Sequence, residues 1–509
     1  MLKNRKLVYF LLVAIGISPI AKAQSPLSSA SFQAPPDANK INAWWHWMDG
    51  YITKSGITKD LEAMHAEGIH SATILNIARL KNLEGNPEVK FGSAEWYEMF
   101  RYAIKEAKRL GMTIGTSNCD GWSESGGPWI KPENSMKQYT WRKTFINGGR
   151  QVAVKLNKPI GIQNFYKDDR VLAYRSAGPN SFEIAHPATK LNGRAIGDTL
   201  TDGSPVSLVE CRAGTAIDLT FGKAFTAEKI EVATNRIKSS AARDVAHFSL
   251  LAGSSDNDLH QIANFDVPID NEVFSAPVPR TTASIFRLIV SKDQPQPKTI
   301  EIGDIALLGK AEVGAYHPAI GHLLTKTVAS EGRQLPEFYE EVPGMPKAEP
   351  IGSVIDVTDK VHQGVLKWAA PTGNWTILRF GFTTTGRTNH PASKEGEGLE
   401  CDKMDTTALN LHYRSFPEKL IKEAGSDAGK TFEYFLVDSW ECMLQNWTDN
   451  FEHEFEKRRG YSMIPYLPVL CGEVVTDIPA SEAFLHDYRS TIADLIDEYY
   501  FKHLADLCH

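Results

Sequence analysis

Ile41-Asn-Ala-Trp-Trp-His-Trp47 decides the fold class, because this apolar run is followed by a helical face and then by a second apolar run. Ile57, Leu61 and Met64 recur at helical spacing before Gly68, and Ser71 to Ile77 reads as the next strand. Ser93 can cap a second helix whose Trp96, Met99, Phe100, Ala103, Ile104 and Ala107 share one face, with Gly111 as its stop. Met112 to Asn118 supplies a third strand. Strands alternating with amphipathic helices need a parallel sheet, since each helix returns the chain to the end where the next strand starts. Three such units in about 100 residues predict the opening of a (β/α)8-type barrel.

Downstream, this rhythm stops near Phe145. From there to about Pro346, short apolar runs alternate with Gly, Asn, Asp and Pro; Ile217 to Phe221, Lys229 to Ala233, Phe248 to Leu251 and Ser284 to Val290 are the candidate strands. The pattern predicts an inserted β-sandwich, either a carbohydrate-binding module or a structural insertion packed on the barrel. The α/β rhythm is expected to resume with Trp375 to Phe382, a helix around Thr406 to Ile421 and the strand Tyr434 to Val437. A helix after Thr448 with Phe451 and Phe455 inward follows, then a last one from near Ser481. The expected limits are 24–145 and 346–509 for the two parts of the barrel and 146–345 for the insertion. About five strands of the eight can be counted, so the barrel is expected to be incomplete at its C-terminal side.

Lys3, Arg5 and Lys6 precede the apolar stretch Leu7 to Ile20 and Ala21-Lys-Ala23, the layout of a cleavable signal peptide over residues 1–23. Export to the periplasm or the medium is the consequence, and no later segment is long and apolar enough to span a bilayer. A net charge of −7 without a long Lys/Arg block argues against a nucleic-acid partner. The cysteines at 119, 211, 401, 442, 471 and 508 form no Cys-x-x-Cys pair, so neither a zinc ribbon nor a thioredoxin-type site is indicated.

Phe435-Leu-Val-Asp-Ser-Trp-Glu-Cys442 drives a strand into Asp438 and Glu441, which would stand at the C-terminal mouth of a barrel, where such folds place their active sites. Carboxylates at a strand exit also cap helices, but Thr448 is expected to serve the helix that follows. Trp44 to Gly50, Asn118 to Trp129, and Gly386 to Pro391 with Gly398 to Met404 would join the same face. The candidate ligand contacts are Trp45, His46, Trp47, Asn118, Asp120, Trp122, Asn389, His390, Asp402, Asp438 and Trp440. Aromatic walls among carboxylates and amides suit a neutral polyhydroxylated ligand. Glycoside hydrolysis needs one carboxylic acid to protonate the leaving oxygen and a second carboxylate as base or nucleophile. Glu441 is the acid candidate, with Trp440 and Trp447 expected to desolvate it and raise its pKa. Other chemistries fit less well. Gly121-Trp-Ser-Glu-Ser125 fails the serine-hydrolase elbow at its last position, and His46, His65, His390 and His412 lack zinc-protease spacing. Ser125-Gly-Gly-Pro128 lacks the Lys-Ser/Thr ending of a phosphate loop.

Trp44-Trp-His-Trp-Met48, Asn118-Cys-Asp-Gly-Trp-Ser123 with Gly126-Gly-Pro-Trp129, Thr383 to Ala392, Gly398-Leu-Glu-Cys-Asp-Lys-Met404, and Val437-Asp-Ser-Trp-Glu441 with Arg459-Gly-Tyr461 together resemble glycoside hydrolase family 106. The resemblance runs from about Pro35 to the last residue. It implies α-L-rhamnosidase activity, a catalytic (β/α)8 barrel with β-sandwich domains, calcium-dependent inverting hydrolysis, and bacterial export for plant polysaccharide breakdown. By motif, Glu441 matches the family's general acid, and Asn118, Asp402 and Asp438 fall among its site residues, with Asp402-Lys403 as a pair that orients the pocket. Calcium in that family engages the vicinal hydroxyls of the sugar, and the resemblance assigns no ligands for it here. Asp49, Asp120 and Cys401 depart from the family pattern, which has Asn, Pro and an aliphatic residue there. Family members continue for several hundred residues and take their second catalytic carboxylate from a strand beyond the region matching Ser481 to His509. The chain is therefore expected to be a truncated rhamnosidase, weakly active or inactive alone; the alternatives are a non-catalytic carbohydrate-binding protein and a glycosidase of other sugar specificity.

Overall fold

The structure, a computed structural model, describes residues 32–33, 41–78, 89–159, 161–175, 185–201, 208–235, 245–268, 273–294, 299–308, 350–443, 445–471 and 475–509. The leader expected over 1–23 lies outside the described residues. Four parallel strands, Ile41–Met48, Ile69–Ile77, Thr113–Ser117 and Phe432–Leu436, form one sheet in that order. The helices Lys54–Ala66 and Ala94–Leu110 connect the first three. Ser93 accepts the Trp96 amide, Gly111 ends the second helix at φ +71°, and Trp96, Met99, Phe100, Ala103, Ile104 and Ala107 are all buried. They cover the sheet face that carries Trp45, Trp47, Ile74, Ile114 and Phe432, joined by Phe416 and Leu420. The helix expected around Thr406 to Ile421 is two, Thr406–Ser415 and Pro417–Ala424. Pro417 has no amide hydrogen and disfavours helical backbone at Phe416, where φ is −134°.

The other face of the parallel sheet carries Trp44, His46 and Met48 from the first strand and Tyr434 from the fourth. Tyr434 lies across Gly115, where a Cβ would sit 2.1 Å from the ring, and its hydroxyl bonds with that of Thr73 at 2.6 Å. Gly115→Ala is therefore expected to cost about 1–3 kcal/mol by overpacking, read as a lower urea midpoint. An unchanged midpoint would mean that the ring swings clear. Trp44 is 54% exposed and Met48 38%, so this face is open at the first strand among the described residues.

Trp375 to Phe382 does not join the parallel sheet. The strand Asn374–Thr384 pairs antiparallel with Lys137–Asn147 on one side and Lys167–Arg175 on the other. Trp375 and Ile377 pack with Val152, Leu366 and Trp368, while Leu378, Phe380 and Phe382 pack with Phe451, Phe455, Phe484 and Tyr488. Burial on both faces makes this strand read as continuously apolar, the same pattern a parallel barrel strand shows. The described residues thus hold four parallel strands, where the sequence led to about five. The antiparallel architecture extends from Lys137 to Thr384, past the limits 146 and 345.

A second antiparallel sheet of eight strands closes on its own core of Leu219, Ile230, Phe248, Phe286, Leu288 and Ile305. Ile217 to Phe221 and Lys229 to Ala233 are two parts of one strand, Ala216–Asn235, whose pairing shifts between Thr220 and Phe225 and between Ala227 and Lys229. Such irregularities bend a strand and interrupt its pattern. The helix Ile478–Ile496 is capped by Asp477 and runs through a π-helical turn, Asp497–Lys502, into His503–Cys508. Among the described residues no helix is long and apolar enough to cross a membrane. The six cysteines are free thiols, all but Cys508 buried.

Candidate active site

The loops that leave the strand ends are stitched to one another before they present any side chain. Asn76, late in the second strand, donates to Asp120 Oδ1 at 2.7 Å and accepts from Trp96 Nε1 at 3.0 Å. Asp120 Oδ2 accepts the Ser393 amide and hydroxyl. Asn389 donates to the Asp120 and Gly396 carbonyls and accepts the Gly398 amide. The Trp122 amide donates to the His390 carbonyl at 3.0 Å, and Ser123 Oγ accepts the His390 amide at 3.0 Å. Gly121 permits this approach, since its φ is +84° and a Cβ would lie 2.6 Å from the His390 carbonyl carbon.

What these loops place on the open face is Glu441. Its Oε2 accepts from Trp122 Nε1 at 3.1 Å and lies 3.3 Å from His390 Nε2; its side chain is 43% exposed. His46 stands edge-on to Trp122 with ring centres 6.3 Å apart, and Trp44 is the same distance from His46. Asp438 is half-buried near Glu441, and burial followed by that neighbouring charge raises its carboxyl above the usual range. The Glu441 carboxylate thus meets Trp122 and His390, where Trp440 and Trp447 were expected. Trp447 stacks on Tyr139 with centres 3.9 Å apart inside the core of the antiparallel sheet. Trp440 donates to the Met443 carbonyl and packs on Tyr500 and Phe501.

Six other expected contacts are buried as structural groups. Trp45 and Trp47 point to the helices because side chains alternate along a strand, leaving Trp44 and His46 on the open face. Trp45 Nε1 donates to Asp60. Asn118 is 1% exposed, donates to Ser125 Oγ, and its carbonyl accepts from His412. Burial lowers His412 to about 4, so it is a neutral hydrogen-bonding histidine. Asp120, Asn389 and Asp402 are at most 1% exposed. Asp402 is paired with Lys137 at 2.8 Å, and it accepts from Gln445 Nε2 and the Thr448 hydroxyl. Lys403 pairs instead with Glu400 at 2.8 Å. Asp402 and Lys403 thus bond to different partners. Thr448 is spent on Asp402, and the helix Phe451–Arg459 begins at Asn450 without a side-chain cap.

Sequence reasoning missed the buried ionic layer beneath the face. Glu400 accepts from Ser123 Oγ, the Ser125 amide and Lys403 Nζ. Burial opposes its charge, yet Lys403 and these donors hold its carboxyl below the usual range. Glu400 and Glu124 lie inside segments already singled out, but their respective partners Ser123 and Tyr500 lie 277 and 376 residues away. Burial pushes Asp120 up to about 7, against the hydrogen bonds from Ser393 and Asn76, and Glu124 up to about 7, against Lys403 and Tyr500. Both folded-state values exceed those of the unfolded chain, so the folded protein holds protons that the unfolded chain releases. Their contribution is fully present below the ordinary carboxylate range and is lost as pH rises through about 7. Melting temperature is expected to fall across that window and Asp120→Asn to flatten the fall; an equal slope in the variant would count against a protonated Asp120.

The sequence profile of glycoside hydrolase family 106, described as alpha-L-rhamnosidase, matches residues 33–509. A Formosa agariphila protein described as a candidate β-glucuronidase is 30% identical over 483 residues, which cover 94% of this chain and 29% of that one. The structure of a rhamnosidase from Novosphingobium sp. PP1Y is similar with a TM-score of 0.69 and 29% identity, covering 94% of this chain and 46% of that one. The chain spans less than half the length of either relative. With the profile matched over nearly its whole length, this chain belongs to the glycoside hydrolase 106 family.

Proposed function

We propose that this chain carries the general-acid side of an inverting α-L-rhamnosidase active site, with Glu441 as the acid. The observation that supports this most is the placement of Glu441: past the end of the fourth parallel strand, open to solvent, and oriented by Trp122 and His390. In an inverting glycosidase, one carboxylic acid protonates the leaving oxygen while a second carboxylate activates water on the opposite face of the ring. Glu441's exposure lets it meet a glycosidic oxygen, and the Trp122 bond fixes one side of its carboxyl. Trp44, His46 and Trp122 offer flat faces to the apolar side of a sugar ring.

In the same reading, the four parallel strands form half of a (β/α)8 barrel whose mouth lies at their C-terminal ends, where Glu441 stands. The leader over 1–23 exports the chain to act on rhamnosides or rhamnose-containing plant polysaccharide. Calcium belongs to the proposal through the family resemblance alone. Among the described residues no three His, Cys, Asp or Glu side chains converge on a metal position.

The test incubates the purified chain and Glu441→Gln with an alkyl α-L-rhamnoside and with the matching β-glucuronide, following the first-formed anomer by proton NMR. Rhamnoside cleavage with inverted product, lost in the variant, is expected. Glucuronide cleavage instead would reassign the sugar, and binding without turnover, equal in both proteins, would make the chain a carbohydrate-binding protein.

A further inference from the structure

We propose that Glu124 is a positioning residue of this site: anchored by Tyr500 beneath the turn that carries Asp438 and Glu441, it sets the charge, and through it the placement, of that turn. The inference rests on Glu441 being the acid. Glu124 is 2% exposed and lies between Ser123, whose carbonyl accepts the Glu441 amide at 3.3 Å, and Ser125, whose amide donates to Glu400 at 2.9 Å. Glu124 Oε2 accepts the Tyr500 hydroxyl at 2.6 Å.

Tyr500 arrives from the π-helical turn Asp497–Lys502. Such turns are rare overall and frequent at functional sites. The Tyr500 ring has Lys403 Nζ 5.2 Å from its centre and meets Trp440 edge-on at 6.3 Å. One side chain therefore ties Glu124 to the turn that bears the acid.

The titratable groups facing Glu124 are Lys403, Glu400 and the Cys401 thiol from the Gly398 to Met404 segment, Tyr500 from the last helix, and Asp438 and the Cys442 thiol from the turn itself. Burial has the largest effect on its carboxyl and Lys403 and Tyr500 oppose it, while Glu400 and Asp438 add to it. Ionising Glu124 places another negative charge beside Asp438, so its proton limits the repulsion under Glu441.

The test labels the full chain with 5-fluorotryptophan and follows the Trp440 fluorine resonance against pH, with Glu124→Gln and Tyr500→Phe alongside. The parent signal is expected to titrate with a midpoint of about 7, and Glu124→Gln to abolish that midpoint. Tyr500→Phe is expected to raise it, because the hydrogen bond that favours the carboxylate is gone. A midpoint retained in Glu124→Gln, or a signal that does not titrate, overturns the proposal; should the Gln variant unfold, the direction of the Tyr500→Phe shift decides.

On an alkyl α-L-rhamnoside, the limb of the kcat/KM profile with this midpoint is expected to vanish in Glu124→Gln with KM little changed. A uniform, pH-independent loss would mean a merely structural role and overturn it. If the parent turns over and Glu441→Gln is equally active while the fluorine midpoint is present, the acid reading fails and Glu124 still sets the turn.

Discussion

Glu441→Gln is expected to lower kcat/KM on an alkyl α-L-rhamnoside by about 10²- to 10⁴-fold, the range a positioned general acid contributes. Gln keeps the size of the side chain and an oxygen that accepts from Trp122, but it has no acidic proton to give. An acid acts in the transition state and not in the bound ground state, so kcat carries the loss and KM moves little. The leaving group makes the test specific. Nitrophenolate departs without protonation, and on a nitrophenyl rhamnoside the variant is expected to lose far less. Equal losses on both substrates would assign Glu441 to water activation or to binding. The side chain is partly exposed, so folding stability is expected to stay within about 0.5 kcal/mol of the parent.

Glu400→Gln is expected to destabilise the fold by about 3–5 kcal/mol, the range for removing one partner of a buried ion pair. Both partners are fully buried, with Lys403 Nζ 2.8 Å from Glu400. The amide leaves the ammonium charged and enclosed, and its own NH2 must face the Ser123 hydroxyl, the Ser125 amide or Lys403, three donors now competing for one oxygen. Urea unfolding followed by tryptophan fluorescence reads this as an earlier first transition. Glu400→Gln combined with Lys403→Met is expected to recover much of the loss, because the stranded charge leaves with its partner. A single variant as stable as the parent would show that water reaches this layer.

Much of the parallel sheet and its covering helices was legible because each part carries its own signal. Ser93, Gly111 and six apolar positions at helical spacing fix Ala94–Leu110 whatever the helix packs against. Trp375 to Phe382 had no such signal. An antiparallel strand buried on two faces and a parallel barrel strand share one pattern, and only the pairing with Lys137–Asn147 and Lys167–Arg175 tells them apart. At the candidate site, the segments were legible but the parity was not. Trp45 and Trp47 turn to the helices while Trp44 and His46 face out. Lys137 gave no signal, since its partner Asp402 lies 265 residues away.

By itself, then, the sequence determined the family, the strand–helix alternation and the carboxylates at the exit of the fourth parallel strand, all of which rest on local spacing and on motifs. Only the tertiary structure decided which charges pair, which aromatic rings face the open side, and that Glu441 is held by Trp122 and His390. Those choices depend on loops brought together from distant parts of the chain and on burial, which costs a charge dearly unless a partner arrives with it. No spacing along the chain records that meeting.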